Sequence, residues 1–166
     1  MPTWRTSSPA GVFLDKVGHY TTEALIPIAL GLRAAGVPFE APADFLWTTI
    51  GFALALVIVL NKALNDMVHV ARANAGLTRL EDKRGGATVP SGRLLSRLRS
   101  AARFVPFHRL YHSVELTMLA VVAALVGLVV GEPLADRVLV AVLLPLSVLA
   151  LVGHFVAIMA SKRVRS

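Results

Sequence analysis

The segment from Val138 to Ala160 is apolar apart from Ser147 and His154. A run of that length covers the roughly 20 residues a helix needs to cross a bilayer. In hydrocarbon the backbone has no water to bond, so such a run must satisfy its own N–H and C=O groups, as a helix does. Three further segments can be read beside it. One begins near Phe45, is apolar to Leu60 and continues as NKALNDMVHVA, still helical in character. Another follows FVPFHRLYHSVE and runs to Val130. The weakest spans about Val12 to Leu32, with its apolar half at ALIPIALGL. The sequence therefore predicts an all-α fold, an integral membrane four-helix bundle, with helices at about 12–33, 45–71, 107–130 and 137–160 of a single 1–166 domain.

Composition agrees with this. The chain is 55% hydrophobic and only 16% charged, against about 25% charged in an ordinary soluble domain. It has no cysteine, which excludes disulfides, thiolate metal sites, iron–sulfur clusters and a cysteine nucleophile. The opening residues MPTWRTSSPAG lack the apolar core and cleavage site of a signal peptide, so the first segment is expected to be retained.

The net charge of +7 first suggests a nucleic-acid surface. Its distribution points elsewhere. Arg72, Arg79, Lys83, Arg84, Arg93, Arg97, Arg99, Arg103 and Arg109 crowd one stretch, opposed only by Glu81 and Asp82, and the C-terminus adds Lys162, Arg163 and Arg165. Beside membrane helices this is the positive-inside signal, and it favours anionic headgroups over nucleic acid. The short links RAAGVPFEAPAD and GEPLADR carry no basic excess. Both termini and the long link at about 73–105 are therefore expected in the cytoplasm, and bacterial plasma membrane is the expected location. Within the long link, Leu94, Leu95, Leu98, Ala101, Ala102 and Val105 fall at helical spacing with arginines on other faces. This predicts a short amphipathic segment on the membrane surface between helices two and three.

This topology places all five histidines toward the cytoplasmic side. His19 and Glu23 are four apart in helix one. Asp66 and His69 lie near the end of helix two. His108, His112 and Glu115 open helix three, and His154 is about two turns from the end of helix four. Ionisable groups are expensive in a membrane, about 2.5–3.5 kcal/mol for Asp or Lys at its centre, so they normally face inward and pair. A divalent metal, Zn, Fe or Mn, would satisfy imidazole and carboxylate together. The candidate ligands are His19, Asp66, His69, His108 and His112, with Glu23 or Glu115 as the catalytic proton acceptor. Arg109 is the candidate contact for an anionic headgroup. Lys62, one turn from Asp66, is the rival partner for that carboxylate, and His154 reads as a satisfied core histidine.

The motif VPFHRLYHSVE at 105–115 resembles bacterial membrane-bound metal-dependent hydrolases. The order is similar: a histidine in the first helix (DKVGHYTTEALIPIALG), NDMVH ending a helix and HRLYHS opening the next. Val68 stands where that family's second aspartate is expected. FHRLYHS also resembles one histidine box of the fatty-acid hydroxylase and sterol desaturase superfamily, with Tyr111 in place of the middle histidine. The first resemblance implies hydrolysis of an amphiphilic or lipid substrate at a cytoplasmic metal site.

Two other functions fit the same residues. Histidines on several membrane helices are the setting for b-type haem in an electron-transfer subunit. Alternatively, Glu23, Asp66 and Glu115 join helices in a non-enzymatic subunit, with partner membrane subunits or further copies of the chain around it.

Overall fold

A computed structural model describes residues 8–36, 45–77, 112–131 and 133–160. The described residues form four helices: α1 (Pro9–Ala35), α2 (Phe45–Asn74), α3 (Ser113–Val130) and α4 (Leu134–Ala160). The amphipathic segment expected at 93–105, together with His108 and Arg109, lies outside them.

Local chemistry sets the helix ends. Ser8 caps α1 by accepting a 3.1 Å hydrogen bond from the Gly11 N–H, with Pro9 in the first turn. Proline suits that position because the N–H it lacks would have no helical partner there. These two residues start α1 a few residues ahead of the expected Val12. Gly36, at φ 87°, ends it in the left-handed conformation that favours glycine. Asp136 lies in the first turn of α4 and Arg33 in the last turn of α1. Both charges complement their helix dipoles.

The chain runs up and down. Glu23 meets Lys62 and Gly31 meets Gly51, so α1 and α2 are antiparallel. Arg33 meets Asp136 at the far end, and His154 meets Asn61 nearer the other. Helices α1 and α4 each touch all three others, whereas α2 and α3 do not touch among the described residues. The bundle is thus a central α1–α4 pair flanked by α2 and α3. Its core is Leu30, Ala34, Leu54, Ile58, Leu116, Val140 and Leu143.

The tightest packing is between α1 and α2. A Cβ added to Gly31 would stand 2.6 Å from the Gly51 Cα, and one on Gly51 would stand 2.8 Å from the Pro27 carbonyl oxygen. Ala35 and Ala55, each four residues beyond a glycine, are also buried. Small residues four apart let two backbones come this close.

Helices α2, α3 and α4 are each long and apolar enough to cross a membrane. Helix α1 is not among them; it carries Asp15, Lys16, Glu23 and Arg33. Much of the apolar surface faces outward. On α3, Val114, Met118, Val122, Leu125, Leu128 and Val129 are exposed, Val129 to 86%.

Candidate functional site

The polar residues of α1 and α2 face one another in a seam. On α1, Lys16, Tyr20 and Glu23 follow helical spacing, and on α2 Lys62 and Asp66 are one turn apart. Glu23 is almost fully buried and accepts a 2.6 Å hydrogen bond from Lys62 Nζ. Asp66 accepts from Lys16 Nζ at 2.5 Å and from the Tyr20 hydroxyl at 3.1 Å. Lys62 Nζ also lies 5.5 Å from the centre of the Tyr20 ring, a cation–π distance. The four charged groups alternate in sign and sum to zero.

The seam is closed at one end. Beyond Glu23 along α1 come Pro27, Leu30 and Gly31, all buried, at the close crossing with Gly51. Contact there is backbone to backbone, which leaves no passage for water or ions between α1 and α2. The open end has an outward groove of about 390 Å³ lined by Phe13, Lys16, Val17, Tyr20, Thr21 and Asp66.

The four described histidines lie toward this end, as the apolar pattern led one to expect, but in separate surroundings. His19 is exposed and faces Asp15, at 3.6 Å from Oδ1. His112 immediately precedes α3, half-exposed, with Nδ1 3.9 Å from the Glu23 Oε1. His154 Nδ1 is 2.8 Å from the Asn61 Oδ1, which makes it the paired interior histidine expected. His69 Nδ1 is buried without a hydrogen-bond partner among the described residues. Glu115 sits half-buried in the first turn of α3, where its charge complements the helix dipole.

The expected convergence of Asp66 and His69 with His112 is not the arrangement observed. Helix α3 approaches the bundle through α1 and α4, so His112 reaches Glu23 of α1 and not Asp66 of α2. Asp66 is taken by Lys16 and Tyr20, and Lys62, its expected rival partner, serves Glu23 instead. Among the described residues no three His, Asp or Glu side chains come together as a metal-binding group. Sequence reasoning did not bring Lys16 and Tyr20 into the site. Their i, i+4, i+7 spacing with Glu23 is the signal that finds them.

A second polar cluster closes the opposite end. Arg33 lies 3.1 Å from the buried Asp136 carboxylate. The neighbouring Arg137 donates from Nε to the Ala34 carbonyl oxygen at 2.8 Å and stacks 5.4 Å over the Trp47 ring. Three helices are tied there by two arginines.

Comparison of the chain with protein-family models, curated proteins and solved structures finds no match.

Proposed function

We propose that this protein is an integral membrane protein whose polar seam holds its helices together, and that it works as a non-enzymatic subunit of a membrane assembly. In this reading α2, α3 and α4 span the bilayer and their outward Val, Leu and Met side chains face lipid or partner helices. Helix α1 is too polar to be stable there alone. It is accommodated because Lys16, Glu23 and Arg33 each pair with a neighbouring helix. Lipid tails are as apolar as leucine, so packing and interhelical polar bonds hold such helices together in a membrane.

The observation that carries the reading is the engagement of both seam carboxylates by lysines from the facing helix. Ammonium groups already neutralise the charge that a metal would otherwise meet. The basic stretch from Arg72 to Arg109 supports a cytoplasmic location for the histidine end. The test is metal analysis and an absorption spectrum of the purified chain. The reading expects neither a stoichiometric metal nor a Soret band. Reporter fusions after Gly36 and Gly131 should both signal the outside.

One observation favours a metal-dependent hydrolase as the second reading. His112 stands 3.9 Å from Glu23, and the buried His69 nitrogen is unbonded among the described residues. Imidazoles in that state suit a divalent cation. A stoichiometric ion lost on Glu23→Ala and His112→Ala alike would select this reading.

A further inference from the structure

Helix α2 lays one face against α1 and a second against α4, and leaves a third uncovered. Lys62 and Asp66 meet α1, and Asn61 meets α4. On the remaining face Phe45, Phe52, Leu56, Met67 and Val70 are each more than half exposed. Thr49, Val59 and Ala63 fall between them, so successive positions from Phe45 to Val70 are three or four residues apart. That spacing draws a single stripe along a helix. The one polar side chain on the stripe, Thr49, donates its hydroxyl to the Phe45 carbonyl of the same helix at 2.7 Å.

The stripe is longer than the hydrocarbon that could cover it. At 1.5 Å per residue it rises roughly 38 Å, and a tilt of about 20° shortens that only to roughly 35 Å, against about 30 Å of hydrocarbon. The excess lies at the histidine end. His112 immediately precedes α3 and is level with Glu23 and Lys62. The 18 residues of α3 rise roughly 27 Å, close to the full hydrocarbon thickness, so the start of α3 marks one edge of it. Met67 and Val70 lie roughly 8 and 12 Å beyond Lys62 along α2. The partly exposed Lys16–Asp66 pair, beside Met67, belongs to the same polar layer. Met67 and Val70 are thus apolar side chains that acyl chains do not reach.

We propose that a second copy of this chain covers this face, with the two α2 helices packed side by side and parallel about a twofold axis along the membrane normal. The inference rests on the membrane reading above and names the partner in it. Two copies oriented by the same basic stretch insert in the same direction. Each residue of the stripe then meets its counterpart at its own depth. The stripe of the second copy therefore passes the hydrocarbon edge at the same end and by the same length. Met67 and Val70 of each copy cover those of the other. The stripe itself is uncharged, because Lys62 and Asp66 stay on the α1 side of both copies. Side-by-side contact along such a stripe is the packing that membrane helices share with coiled coils.

The chain has no cysteine, so a single introduced cysteine reports one position. Leu56→Cys, Ala63→Cys and Val70→Cys lie on the stripe, and Val122→Cys and Val152→Cys lie on the exposed faces of α3 and α4. Each variant of the full chain is reconstituted into phosphatidylcholine vesicles at a high lipid-to-protein ratio and oxidised. The expected yield of disulfide-linked dimer, averaged over the three α2 positions, is at least fivefold that at either Val122→Cys or Val152→Cys. A smaller ratio, or no dimer at any position, overturns the proposal. Flotation of the same vesicles separates the two failures. A chain that floats with its vesicles but does not link through α2 loses the second copy alone. One that does not float loses the membrane reading as well.

Discussion

Gly31 of α1 and Gly51 of α2 meet backbone to backbone, at a distance that leaves no room for a Cβ on either residue. The contact sets how closely the two helices approach, and through that the reach of Lys62 to Glu23, about two turns earlier in α1. Gly31→Ala or Gly51→Ala must push the helices apart, because the opposing atoms are backbone. Overpacking of this kind typically costs about 1–3 kcal/mol. Unfolding of each variant in detergent should show a loss in that range. Gly18→Ala is the matched control, since no atom lies within 4 Å of a Cβ there. It should not destabilise the protein.

Arg137 joins α4 to two other helices through the Ala34 carbonyl and the Trp47 ring. Arg137→Ala removes both contacts and should destabilise by about 1–3 kcal/mol, the sum of a hydrogen bond and a cation–π contact. Trp47→Leu keeps the hydrogen bond but loses the stacked ring and part of its packing against the core, so it should destabilise as well. Tryptophan fluorescence should shift in Arg137→Ala, because the Trp47 ring loses its stacked cation.

The Lys16–Asp66 pair is the weaker of the two seam pairs, since both side chains are over a third exposed or close to it. Exposed pairs are worth about 0–1 kcal/mol. Lys16→Met should therefore leave stability within about 1 kcal/mol of the unaltered chain, and raising the salt concentration should shrink the difference further.

The four helices and the common end of the four described histidines could be read from the sequence because both follow from apolar runs and chain direction. The partners of Asp66 could not. Periodicity places Asp66 and His69 on neighbouring positions of one helix, but it does not say which helix that side meets. The long link before α3 leaves its position free, and α3 docks on α1 and α4, so His112 reaches Glu23. The α1–α2 crossing had a sequence signal, Gly31 with Ala35 and Gly51 with Ala55, each pair four apart. An antiparallel crossing centred on Gly31 and Gly51 places Lys16 opposite Asp66, fifteen residues from each glycine.

In the proposed membrane subunit Glu23 and Lys62 act as a structural clamp, and a double-mutant cycle on this pair tests that most directly. Removing one partner of a buried ion pair leaves a charge uncompensated, typically at a cost of about 3–5 kcal/mol, whereas apolar replacement of both is often close to neutral. Lys62 retains some exposure, so the lower end of that range applies. Glu23→Leu and Lys62→Met should each destabilise the protein by about 3 kcal/mol in detergent unfolding, and the double variant should recover most of the loss. The metal content of all four proteins should be the same and near zero. Additive losses with no recovery, or a stoichiometric metal that disappears with Glu23, would contradict the account.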